Sequence, residues 1–325
     1  MDLTLPDPGG LARRLVPALP GAGVVAGLGA HLPDPLAPVR ATVGGTLRDL
    51  FTADRMPGER YDAPLGDPGW FGPDSVTWAV HADPAMLVGG LTAVMLQTLH
   101  PLAMAGVAEH SDFRERPLER LGRTSSFVIA TTYGATPVAE RMARAVRAIH
   151  GSVVGTAPDG RPYAADDPDL LRWVHVAEFH AFVRAHQLYA VHPVGDEALD
   201  RYWDEVAVIA EALGATEVPR SQAEVDAYLR AVHPELAAGP QAREALRFLV
   251  RPIPGPLPLQ AAYLGVVRAA LGALPGWARR MLRVPRLPGL DVAVVRPTTR
   301  TALAGLRLLA GDPPTLAEAR ARVAA

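Results

Sequence analysis

The sequence contains no cysteine and no lysine. Without cysteine there is no disulfide, zinc–thiolate site, iron–sulfur cluster or thiolate-ligated haem. Any metal must sit on His, Asp, Glu, Met or Tyr, and ten histidines are available. Without lysine every basic residue is arginine, so a single Arg says little and only clustered, same-face arginines carry meaning. A charge surplus is missing too: 32 basic residues stand against 34 acidic ones, a net charge of −2. That excludes an electrostatic nucleic-acid binder, which would show a basic excess. A phosphate loop, a dinucleotide fingerprint, a serine nucleophile elbow, tandem repeats and strand-rich stretches are likewise absent.

What is present is 325 residues, 49% of them hydrophobic, enough for a large core. Residues 1–68 read as an N-terminal helical arm and linker. The pair Arg13-Arg14 precedes a mild apolar run, but Asp2, Asp7, Pro17 and Pro20 spoil it as an export signal, so the expected location is cytoplasmic. Residues 35–53 read as an amphipathic helix and 54–73 as a Pro/Gly-punctuated linker. Asp74-Ser75 caps a short helix through His81. Asp83-Pro84 then opens an uncharged helix from Ala85 to Ala108, of transmembrane length but interrupted by Gln97, His100 and Pro101. The expectation is a buried helix at the centre of the fold, kinked at Pro101, with Gly89 and Gly90 admitting a close neighbour.

Ser111–Arg116 reads as a polar turn and Pro117 opens the next helix. Pro137–Val153 reads as helical, 155–163 as a small hairpin around Asp159-Gly160, and Asp166–Asp169 as the cap of a long helix reaching Tyr189. Further helical patterns cover 196–213, 221–232, 239–250, 257–273, 276–283, 299–310 and 314–323, with 251–258 an extended connector. The fold class is all-α: a single large multi-helix domain, its helices packed around a central buried helix and a cofactor pocket.

Two faces stand out chemically. On a helix Arg120, Arg123 and Thr124 lie at i, i+3 and i+4, and on the following helix Arg147 and His150 lie at i and i+3. These faces read as opposite walls of one pocket. A helical imidazole at His150 can ligate iron, Arg147 can pair bidentately with a propionate, and the Arg120 face can donate to dioxygen or to a substrate oxygen. The same spacing also fits a histidine at a helix end and arginines in surface ion pairs. A second candidate is the helix carrying His175, Glu178, His180 and His186, where His175 and Glu178, with His100 or His180, would make a non-haem metal site. His100 alone reads as a core residue.

The ordered series Trp70–Trp78, Leu96–Val107, His110–Phe113, Arg120–Thr124, Tyr133-Gly134, Val146–His150 and Trp173–His175 resembles the oxygenase MpaB family, which includes the bacterial rubber oxygenase (latex clearing protein). The resemblance spans roughly 69–290 and makes 69–325 the catalytic domain. It implies an all-α protein holding haem b, with His150 as the iron ligand, Arg147 at a propionate, and Arg120, Arg123 and Thr124 on the distal side. Where the rubber enzyme has a distal lysine this chain has Arg123, a poor ligand because a guanidinium stays protonated. The rubber enzyme's distal glutamate is matched only by Glu109. The partners implied are dioxygen and a small hydrophobic substrate of lipid or terpenoid type. Nucleic acid is excluded, and a bilayer surface and a second copy of the chain are left open. Two rivals remain: the non-haem metal enzyme above, and a non-catalytic helical haem- or ligand-binding protein.

Overall fold

The computed structural model describes residue 61 and residues 63–111, 117–285 and 287–325. The expected N-terminal helix and the first part of its linker, and the turn beyond Ser111, lie outside the described residues.

The fold is all-α with one two-stranded ribbon. Its centre is the helix Pro168–Tyr189, here α6 (α1 to α5 follow). Asp167 caps it by accepting the Asp169 N–H, and Pro168 fits the first turn, where no N–H is needed. Leu171, Trp173, Val176, Phe179, Phe182 and Tyr189 are among the many side chains it buries.

Ahead of it, α1 (Val76–His81) starts at Ser75, whose hydroxyl accepts the Trp78 N–H. Helix α2 (Met86–Gln97) packs along α6. Gly89 permits this: a Cβ there would stand 3.2 Å from Phe182 Cα, whereas Gly90 faces open space.

The stretch 85–108 is not one kinked helix. It is α2 and α3 (Pro101–His110), set 104° apart. Pro101 has no N–H to continue α2 and forces His100 into extended backbone (φ −89°, ψ 113°), so the helix stops and restarts. The central position therefore belongs to α6. Its polar residues hid this, because they are spread around a helix that is enclosed on several sides.

Helices α4 (Pro117–Tyr133) and α5 (Thr136–His150) form a hairpin. Gly134 makes the turn, where a Cβ would meet the Ala130 carbonyl at 2.3 Å. Helix α5 ends at His150, three residues short of the expected Val153, and β1 (Val154–Thr156) pairs antiparallel with β2 (Pro162–Ala164) in the expected hairpin.

After α6 come α7 (Leu199–Leu213), α8 (Gln222–Val232), α9 (Pro240–Leu249), α10 (Leu257–Ala273) and α11 (Gly276–Met281), all within a few residues of the expected bounds. A one-turn α12 (Pro288–Leu290) runs through a π-helical turn (Asp291–Val295) into α13 (Arg296–Ala310), longer than the sequence pattern suggested. Helix α14 (Pro314–Ala324) closes the fold. Its Arg322 is fully buried and donates to the carbonyls of Tyr61, Asp67 and Tyr133.

Candidate functional site

The five residues singled out from sequence sit on the α4–α5 hairpin. The two helices pack on each other and leave a two-residue turn, so Arg120 and His150 each lie about 20 Å of helix away from it. The base of the hairpin is fixed by buried hydrogen bonds. Trp78 Nε1 donates to the Thr132 carbonyl at 2.9 Å, and His81 bridges Thr132 Oγ1 (2.9 Å) and Tyr202 Oη (3.1 Å). Burial pushes the His81 imidazole down to about 3, so it stays neutral and ties α1, α4 and α7 together.

His150 is the last residue of α5 and is half-buried. Its Nδ1 is buried and makes no hydrogen bond among the described residues. Burial holds its pKa below the ordinary histidine range, against an upward pull from Asp166. At neutral pH this is an uncharged imidazole with an uncommitted nitrogen. Asp166 was read from sequence as a cap, but Asp167 alone caps α6, leaving the Asp166 carboxylate to act on His150. No sequence signal separated the two; three aspartates around one proline all suit a helix start.

Arg147 is exposed. Its guanidinium lies beside Gly214, where a Cβ would come within 3.9 Å of Nη2. Gly214 is the left-handed C-cap of α7, and a cation there suits the negative end of that helix.

On α4, Arg120 is half-buried, and burial together with the Arg123 guanidinium one turn on lowers its pKa. Arg123 and Thr124 are exposed, and the Thr124 hydroxyl donates to the Arg120 carbonyl at 3.2 Å. The two sets therefore share their respective helices as expected. Among the described residues no hydrogen bond or ion pair joins one set to the other. Glu109, the nearest match to a distal acid, is exposed and instead accepts from the Tyr163 hydroxyl, tying α3 to the ribbon after His150.

The model of the family described as ER-bound oxygenase mpaB/B′/rubber oxygenase, catalytic domain, matches residues 78–307. The chain belongs to that family. It therefore carries an oxygenase catalytic domain, and the matched span runs from the α1 helix through both candidate faces to the last turn of α13. Neither the curated proteins nor the solved structures gave a match.

The other histidine-rich region of this oxygenase domain does not assemble a metal site: among the described residues no three His, Asp or Glu side chains converge as ligands. His100 Nδ1 accepts the Ala103 N–H as the cap of α3, and its Nε2 lies 3.7 Å from Glu235. His175 and His180 are held neutral by burial, at about 3 and about 4, and each keeps one buried nitrogen unpartnered. Glu178, between them in sequence, is pushed up to about 7 by burial.

This gives Glu178 a definite pH signature. A free glutamate titrates at 4.5, so the folded state binds more protons than the unfolded state between that value and about 7. The contribution of Glu178 to stability is full below pH 4.5 and is lost as pH rises to about 7. Glu178→Gln removes the charged form. It is expected to match the unsubstituted protein at pH 4.5 and to exceed it at pH 8 by about 2 kcal/mol, allowing for partial exposure. Urea unfolding at the two pH values measures this.

Proposed function

We propose that the protein is a haem b oxygenase that uses dioxygen on a small apolar substrate. The observation that carries this reading is His150: a neutral, half-buried imidazole with an unpartnered nitrogen, closing a helix of the oxygenase domain. Such a group fits an iron ligand, which must be deprotonated to bind. Haem bound there would supply the binding and activation of dioxygen.

The residues of the chain then take these roles. His150 would hold the group through an imidazole that burial keeps neutral, with the Asp166 carboxylate acting on the ring by its charge. Arg147, exposed one turn before His150, would pair with a propionate. Arg120 and Arg123 are two guanidiniums one turn apart that lower each other's tolerance for a further cation, so an anion between them is favoured. Thr124 donates within its own helix and keeps its oxygen lone pairs for a donor on the ligand side. Arg123 carries a guanidinium, which offers donors and no acceptor, and so does not compete for iron. Half-buried Phe127, Val128 and Ile129, one turn further along α4, suit an apolar substrate and limit water.

The test is the absorption spectrum of the purified protein from cells given a haem precursor, with pyridine extraction. A Soret band and extractable haem b support the reading; no band, even after added hemin, overturns it. Oxygen consumption with lipid and terpenoid substrates then separates an oxygenase from a protein that only binds haem. Arg120→Ala should leave haem content intact and slow that consumption.

A further inference from the structure

Charge is distributed very unevenly along this chain. Between residues 250 and 311 there are nine arginines and one acidic residue, Asp291, while the rest of the chain has 23 arginines against 33 acidic residues. The same segment holds eight of the twelve large apolar side chains that stand exposed among the described residues. Leu257, Leu264, Leu290, Val292 and Val294 are each more than a third exposed. Three of the arginines are opposed, Arg268 and Arg279 by Asp291 and Arg307 by Asp83 from outside the segment; exposed apolar side chains beside the remaining cations are the composition of a surface that lies in a membrane interface.

The fold gathers them. Asp291 accepts from Arg268 of α10 and, at 3.0 Å, from Arg279 of α11. Leu264 lies one turn before Arg268, Leu290 and Val292 flank Asp291, and Arg280 and Arg283 follow Arg279. One carboxylate thus draws α10, α11 and the π-helical turn together with the apolar side chains around it. The same pairing leaves no free negative charge on that face: Asp291 is 7% exposed and is matched by two guanidiniums. Arg251, Arg280 and Arg283 are exposed and make no ion pair among the described residues.

We propose that the face formed by α10, α11 and the turn at 288–295 docks on an anionic lipid bilayer. Its leucines and valines enter the headgroup–acyl boundary, and Arg280 and Arg283 pair with lipid phosphates, to which a guanidinium bonds bidentately. A second copy of the chain fits poorly, because two such faces would bring arginine against arginine. Residues 1–60 fit poorly as well, since their six acidic residues are balanced by six arginines. A spanning arrangement is not required: no single described helix is long and apolar enough to cross a membrane. The proposal is independent of the haem reading.

The experiment is flotation of the purified full-length protein with two kinds of vesicle. One is phosphatidylcholine alone; in the other about one lipid in three is phosphatidylglycerol. The expected result is binding at least ~10-fold stronger to the anionic vesicles, weakening with salt. The double variant Arg280→Glu, Arg283→Glu should lose that preference, and Leu290→Asp, Val292→Asp should lose binding altogether. Unchanged far-ultraviolet circular dichroism and melting would show that both variants are folded. Absence of binding to either vesicle, equal binding to both, or full binding by the folded variants overturns the proposal. A dimer in sedimentation velocity that Leu290→Asp, Val292→Asp dissociates, with no vesicle binding, would reassign the face to a second copy.

Discussion

His150→Ala is expected to purify as a folded protein that carries no haem, with the Soret band reduced to the level of adventitious hemin. The side chain ends a helix and is only half-buried, so truncation removes little packing and should lower stability by no more than about 1 kcal/mol. The loss at the cofactor is much larger, because among the described residues no other neutral imidazole belongs to this face of the hairpin. His100 caps α3, His81 is bound on both nitrogens, and His175 and His180 belong to α6. Truncation also leaves a gap the size of the ring. Added imidazole should enter it and restore part of the Soret intensity, which a merely structural histidine would not allow. Retention of stoichiometric haem by the variant would remove His150 as the ligand.

Arg322→Met should cause the largest loss of stability. The guanidinium is fully buried and donates to the carbonyls of Tyr61, Asp67 (2.7 Å) and Tyr133 (2.9 Å), while the Arg322 carbonyl accepts from Gly66 at 2.8 Å. Methionine keeps most of the volume and loses every donor, so three carbonyls are left without this partner in a dry site. Hydrogen bonds to a charged group count more than neutral ones, and a cost of about 3–5 kcal/mol follows. In a domain of this size the melting temperature should fall by roughly 5–15 °C. Arg322→Lys should recover only a fraction, because a point-like ammonium cannot reach carbonyls from three separate segments. A shift of under a degree for Arg322→Met would mean that the packing, not the hydrogen bonds, holds this corner.

The helices were largely legible in the sequence because their boundaries are written in local chemistry. Ser75 and, within the Asp166–Asp169 stretch, Asp167 cap where expected, and Leu257–Ala273 runs between a proline-rich connector and another proline. What misled was context. An uncharged run looks like the centre of a fold, yet α2 is one neighbour of α6, whose buried histidines and glutamate made it look wet. The break at His100-Pro101 looked like a kink because proline alone does not say how far a chain turns; the extended His100 does. Spacing placed Arg120 with Arg123 on one helix and Arg147 with His150 on the next, where the structure has them. Spacing could not reveal that Asp166 acts on His150, since that effect crosses from the start of one helix to the end of another.

The contacts of Arg322 also order events in time. They join residues some 260 positions apart, so this corner cannot form until nearly the whole described chain has left the ribosome. The α4–α5 hairpin, complete at His150, emerges about 170 residues earlier, which at 5–20 residues per second is roughly 10–30 s. During synthesis the prospective ligand is therefore presented on an open scaffold, and the domain shuts only afterwards, from its far end.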